Sequence, residues 1–321
     1  MIASLVAGLY GILVSVIGLN PYVSAISINY TGKDYLFAVF LEDARAGLSG
    51  RSSGTMVHPL GWGQFWVIML SSVFLFKDLI NRNLGAIIVA VGLANVFVCG
   101  ARSALLAAVF VVAVGLFSLG IKKIMKFGLV FFVLAFAALE FCGFNMTSVE
   151  NSDAFKYVEG TVFFWDENKV AKASVTGSSI DMRKSQMEAT FEYIATNPIA
   201  GVGYNYQYYS LENVNVANKA LWGMESILYK KLVEQGLLGF TIFCFLIFLI
   251  YQKNQKWITK AKQKKAYFGG FIGGYLINIF VTGMQGDNYF LFLMLVAFYY
   301  IYLRRIFEND SQNNPLLLAK E

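Results

Sequence analysis

Arg51, Arg102 and Arg183 are the residues best suited to chemistry in this sequence, because each falls where a freely solvated charge is not expected. Arg51 opens the stretch Arg51-Ser-Ser-Gly-Thr-Met-Val-His58-Pro59, just ahead of an apolar run, and Arg102 sits in Gly100-Ala-Arg-Ser-Ala104 at the head of another. A cation at the end of an apolar helix must reach back to water or pair with an anion. Arg183 offers a sharper local argument. Ser178 followed by Asp181 is a capping-box-like start and Pro198 forbids continuation, so the spacing predicts a helix over Ser179–Thr196. Ile180, Met187, Phe191 and Ile194 form one stripe on it, expected to be buried or to lie on a membrane, and Arg183 shares that stripe. A guanidinium there calls for a counter-ion, and its planar fork can grip a phosphate with two parallel hydrogen bonds. A structural ion pair with a loop carboxylate is the plainer alternative.

A base is needed beside the anion-seeking groups. Glu225 lies on the apolar stripe Trp222, Tyr229, Leu232 of a second amphipathic segment, Trp222–Gln235, which Gly236 is expected to end. A carboxylate buried without a partner is tuned toward general acid or base work; an ion pair with Arg183 or Arg102 is the plain alternative. Glu234 falls off that stripe and is expected to be solvated. His58, before Pro59, is a second catalytic candidate, although a lone interfacial histidine also serves as a hydrogen-bonded bystander. Between the two amphipathic segments, Asn197-Pro-Ile-Ala-Gly-Val-Gly203 reads as a tight, closely approached turn built on Pro198, Gly201 and Gly203. It is not a Walker loop, since no Gly-Lys-Ser/Thr follows. Asp287, in Gly286-Asp-Asn288, is a lesser candidate for the same face. Cys99, Cys142 and Cys244 are scattered in or beside apolar runs, and with a single histidine no metal site and no cofactor is expected.

The elements that must hold these residues are set by composition. Of the 321 residues 57% are hydrophobic and only 14% charged, against about a quarter in a soluble domain. The apolar residues cluster in long runs, and a run of ~20 can cross a bilayer. Candidate spans are Ile2–Leu19, Gly61–Phe76, Leu84–Cys99, Ala104–Leu119, Phe127–Phe144, Leu237–Tyr251, Tyr267–Met284 and Tyr289–Leu303. With a cytoplasmic amino terminus, the inner connections hold fourteen Lys and Arg and the outer short ones only four, namely Lys33, Arg45, Arg51 and Arg102. That asymmetry orients the chain, and it reads the net charge of +6 as a topology signal rather than a nucleic-acid patch. The expected fold is an all-α integral membrane protein of about eight spans with both termini cytoplasmic. It divides into an amino-terminal bundle (1–144), a large extracytoplasmic loop with amphipathic helices (145–235), carboxy-terminal spans (236–304) and a tail (305–321).

These patches, in this order, resemble the bacterial O-antigen polymerase and O-antigen ligase superfamily. Arg51 with His58-Pro59 is similar to that family's Arg-Gly…Pro entry, and Gly100-Ala-Arg102-Ser-Ala-Leu-Leu to its Ser-Arg-Ser/Thr-x-Leu-Leu span start. Arg183, Asn197-Pro-Ile-Ala-Gly-Val-Gly203 and Glu225-Ser-Ile-Leu-Tyr-Lys-Lys-Leu-Val-Glu-Gln-Gly-Leu-Leu-Gly239 resemble its long periplasmic loop and return to the membrane. The likeness spans roughly residues 45–250. It implies an outer cavity for undecaprenyl-diphosphate-linked glycans as donor and acceptor, with Arg102 and Arg183 on the diphosphate and Arg51 assisting. Arginines can stabilise a departing diphosphate without a metal. The resemblance also implies residence in the bacterial inner membrane, beside a chain-length regulator and a flippase. Two departures stand out. Ligases typically carry a histidine where this chain has Glu225, which points to a polymerase with a ligase as the alternative. The chain also lacks several amino-terminal spans of the family, so it is expected to be truncated there. A transporter of polyprenyl-linked glycans, the reading from another class, would place charges near the bilayer midplane.

Overall fold

The structure, a computed structural model, describes residues 1–17, 20–22, 25, 52–56, 58–119, 180–203, 226–258, 262–281 and 286–313. Eight helices follow one another: α1 (Ile2–Ile17), α2 (Pro59–Leu75), α3 (Arg82–Val98), α4 (Arg102–Leu119), α5 (Ile180–Thr196), α6 (Ile227–Ile258), α7 (Lys262–Val281) and α8 (Gly286–Asn313). No strand occurs among the described residues. Seven of the eight expected spans coincide with helices, and the eighth, Phe127–Phe144, lies outside the described residues. Stretches in α6 and α8 are long and apolar enough to cross a membrane, while α1 to α4 are apolar but shorter.

The chain divides into two compact units, Met1–Ile180 with Gly273–Asn278, and Asp181–Ile272 with Ile279–Glu321. In the first, α2 is buried along nearly its whole length and packs on α3 and α4, while α1 packs on α3. Trp62 and Trp66 of α2 are completely buried and meet edge to face, 5.8 Å between centroids. Small residues let the helices close on these rings: a methyl group on Gly8 or Gly92 would run into Trp66. One amide joins three helices. Asn95 of α3 accepts from Trp62 Nε1 (3.0 Å) and donates to Gly8 O of α1 (3.0 Å) and Val91 O (2.8 Å).

The surface shows what solvent the fold is built for. The inward face of α1 is Ser4, Gly8, Gly11, Val14 and Ser15, while Val6, Leu9, Leu13 and Val16 are exposed. Likewise α8 presents Phe290, Met294 and Phe298 outward at i, i+4 spacing. A soluble fold hides such stripes. Helices that bury small and polar residues and display large apolar ones are packed for lipid, where association rests on close van der Waals contact.

In the second unit, Tyr251 and Tyr299 both stack on Phe268, and Phe271 stacks on Phe292 at 5.1 Å. Helix α6 is two helices joined at a break. Gly236 has φ 61° and ψ −164°, which no continuing helix adopts. Lys231 Nζ nevertheless lies 5.3 Å from the centre of the Phe243 ring. Twelve residues of straight helix would separate their backbones by ~18 Å, so the chain turns sharply at Gly236. A new helix therefore begins at Leu237, the residue at which the sequence predicts a span to start.

Candidate functional site

In the first unit the sequence candidates gather at one end of the bundle. His58 is the N-cap of α2: its Nδ1 accepts the Leu60 amide at 3.1 Å, ahead of Pro59, and the ring is buried. Ser52, next to Arg51 in sequence, donates its amide to Val98 O at the end of α3 (3.0 Å), and Asn20 Nδ2 donates to Ser53 Oγ and Gly54 O. Gly100, with φ 60°, makes the left-handed step that ends α3 and lets Arg102 open α4 two residues later. Arg102 is half-buried, and its Nη2 is shut away from solvent. Gly63 of α2 approaches the same corner, since a methyl group there would meet Ala104, Cys99 and Ala101. The structure thus brings His58, Arg102 and the segment following Arg51 to the shared end of α2, α3 and α4. Arg51 itself lies outside the described residues.

In the second unit, α5 matches the predicted helix within one residue, and the face it packs on protein lies beside the apolar stripe. Gln186, Ala189 and Thr190 are buried, with Arg183 and Tyr193 half-buried beside them. Ala189 packs on Val233 of α6, joined by Tyr193, Val202 and Tyr229. Met187 and Phe191, on the stripe expected to be buried or to lie on a membrane, are exposed at 36% and 61%. Arg183 therefore edges a polar packed face and the apolar stripe at once, a position from which its head group can reach outward.

Beyond α5, Asn197–Gly203 is locked to the break in α6 by backbone alone. Val202 N donates to Val233 O (2.9 Å) and Gly203 N to Glu234 O (3.0 Å); in return Leu237 N donates to Pro198 O (2.8 Å) and Leu238 N to Ile199 O (3.1 Å). The break frees carbonyls before Gly236 and amides after it, and the loop supplies both kinds of partner. Gly201 (φ 70°) and Gly236 (φ 61°) touch: a Cβ on Gly201 would sit 2.5 Å from Gly236 N, and one on Gly236 would sit 2.6 Å from Gly201 N. The sequence reads Gly236 as a helix stop, and the helix does break there; the residue is also one half of this clamp.

Glu234 is the residue that sequence reasoning misplaced. Expected in solvent, it is 3% exposed, with Lys230 Nζ 3.7 Å from its Oε1. At that separation the contact is an ion pair rather than a hydrogen bond. The available signal was the Lys230/Glu234 spacing of four, which buries a carboxylate only with a cation at hand. Glu225 and Trp222 lie outside the described residues, and helix is described from Ile227 onward. The backbone of Asp287 lies in the first turn of α8. Among the described residues no group of three His, Cys, Asp or Glu side chains is placed to hold a metal ion.

These features define a class: a helical membrane protein with lipid-directed surfaces and arginines at helix heads and on an amphipathic helix. A model of the O-antigen ligase family matches residues 86–244. The match covers just under half of the 321 residues and supports the O-antigen polymerase and ligase superfamily that the sequence resembles. The matched stretch holds Arg102, Arg183, the Pro198–Gly203 turn, Glu225 and the Gly236 break; it leaves out Arg51 and His58. No curated protein matches the chain.

Proposed function

We propose that this protein joins undecaprenyl-diphosphate-linked oligosaccharide repeats into O-antigen, capsule or exopolysaccharide, by metal-independent glycosyl transfer at the outer face of the bacterial inner membrane. About eight spans carry a large outer loop, 145–235, with both termini in the cytoplasm. The family supplies the class of substrate, lipid-linked glycans in a membrane. The acceptor sugar hydroxyl attacks the anomeric carbon of the donor, the carbon–oxygen bond to the diphosphate breaks, and undecaprenyl diphosphate leaves with the electron pair. The acceptor proton passes to Glu225 or His58. Arg102 and Arg183, assisted by Arg51, balance the charge that develops on the leaving diphosphate, the step at which preorganised cations contribute most.

The observation that carries the polymerase reading is Glu225, where ligases of this superfamily typically have a histidine. A ligase, passing the glycan to lipid A core or protein, is favoured instead by the description of the matching family. Electrophoresis of surface polysaccharide from cells lacking the gene separates them. Polymerase loss collapses the ladder to core plus one repeat, restored by the wild-type gene and not by Arg102→Ala. Loss of every repeat from the core would indicate a ligase or a flippase and overturn the proposal.

A further inference from the structure

Around α5, at 3.6 residues per turn, the residues fall into three sectors. One is buried against α6: Gln186, Ala189, Thr190 and, at its margin, Arg183 and Tyr193. One is charged and exposed: Lys184, Glu188 and Glu192. The third lies beside Arg183 and is apolar: Met187, Phe191 and Ile194, with Phe191 at 61% exposure. This third sector continues past the helix. Ile199, 71% exposed, is hydrogen-bonded through its carbonyl to the Leu238 amide, so it sits where the α6 span begins. There it adjoins Leu237 and Leu238, themselves exposed, and the outward row continues down the span as Ile242 and Phe245.

We propose that α5 is an interfacial helix whose Met187, Phe191 and Ile199 are buried in the outer leaflet at the headgroup–acyl boundary. Its occupant is bilayer lipid. The argument is continuity: the apolar sector is joined through the backbone clamp to the lipid-facing row of a crossing helix, at the level where that helix enters the hydrocarbon. A helix with one side on protein, one on lipid and one in water has this three-sector pattern, whereas a two-sided amphipathic helix lacks the packed face. The charged sector mixes Lys184 with Glu188 and Glu192, so attachment rests on apolar burial and the covalent tether rather than on anionic lipid. The consequence for chemistry is depth. Arg183 borders the lipid sector and is held at the headgroup plane, where the diphosphate of a polyprenyl-linked substrate lies.

This inference rests on the reading of Leu237–Tyr251 as a span, and the test separates the two. In a version with Cys99→Ala, Cys142→Ala and Cys244→Ala, single cysteines replace Phe191, Ile199, Glu192 and Phe245 and carry an environment-sensitive fluorophore. The full chain is reconstituted in phosphatidylethanolamine/phosphatidylglycerol vesicles. Nitroxide lipids labelled shallow or deep in the acyl chain, and aqueous iodide, serve as quenchers. Labels at 191 and 199 should be quenched by the shallow nitroxide and little by iodide, and the label at 192 by iodide alone. Quenching at 191 by iodide alone would put the stripe in water and overturn the proposal. Protection at 191 from both quenchers would mean that a protein surface, a second copy included, covers it, which also overturns it. The label at 245 should answer to the deep nitroxide; if it does not, the span reading itself fails and the proposal with it.

Discussion

Arg102 and Arg183 stand out in the sequence because apolar surroundings make a cation conspicuous, and their type fixes what they can bind. A fork-shaped guanidinium holds a phosphate with two bonds where an ammonium makes one point contact. Arg183→Lys, which keeps the charge, should therefore still lower polymerisation in membranes roughly 10²–10³-fold, the loss found when one donor to a developing anion is removed. Retention of full activity by an inserted Arg183→Lys protein would reduce that residue to a point charge. His58 has a structural role that type alone does not show. Its Nδ1 caps α2, so His58→Ala should cost about 1 kcal/mol of stability and lower the thermal midpoint in detergent, while His58→Asn, a better cap, restores it. If capping is its main work, His58→Asn also keeps the polysaccharide ladder. Glu234 was missed because a stripe drawn from apolar spacing has no place for a buried ion pair. Glu234→Gln keeps the volume but leaves Lys230 facing an uncharged group; it should cost about 1–3 kcal/mol, read as a lower unfolding midpoint.

At the scale of elements, helix positions were legible and helix faces were not. Periodicity located α5 within one residue, since Pro198 and the Ser178 start are local chemistry. It also identified the stripe Met187–Phe191, but left open whether protein or membrane covers it. An apolar stripe states that water is unfavourable, not whether protein or lipid replaces it; in a lipid-facing fold the packed face can be the polar and small one, as Gln186, Ala189 and Thr190 show. Gly236 was legible as a stop but its part in the clamp was not, because the partners that rescue its broken hydrogen bonds lie more than thirty residues earlier in the chain, and no local rule reaches that far. The clamp makes a firm demand. Gly236→Ala and Gly201→Ala each put a Cβ into the opposite backbone at a positive φ, where a side chain alone costs about 1–2 kcal/mol. Both variants should show faster proteolysis of the outer loop in right-side-out vesicles while the spans stay inserted, whereas Gly203→Ala, with open space around its Cβ position, should cost only its backbone strain. Equal protease resistance of wild type and Gly236→Ala would remove the clamp from the account.

At the scale of the whole molecule, composition alone separated membrane from soluble protein, and the exposed rows on α1, α6 and α8 give that composition its physical meaning. The family match reaches the same class by an independent route, and it covers the stretch that holds both arginines and the clamp. The central claim is that this chain elongates lipid-linked glycans itself, without a metal, using Arg102 and Arg183. The most direct measurement incubates the purified protein in lipid nanodiscs with undecaprenyl-diphosphate-linked single repeats and EDTA, and resolves the lipid-linked products by mass. Products of two and more repeats, formed by the wild type and absent with Arg102→Ala or Arg183→Ala, are the predicted result. Single repeats left unchanged until lipid A core is added, then transferred to it, would contradict the claim and identify a ligase.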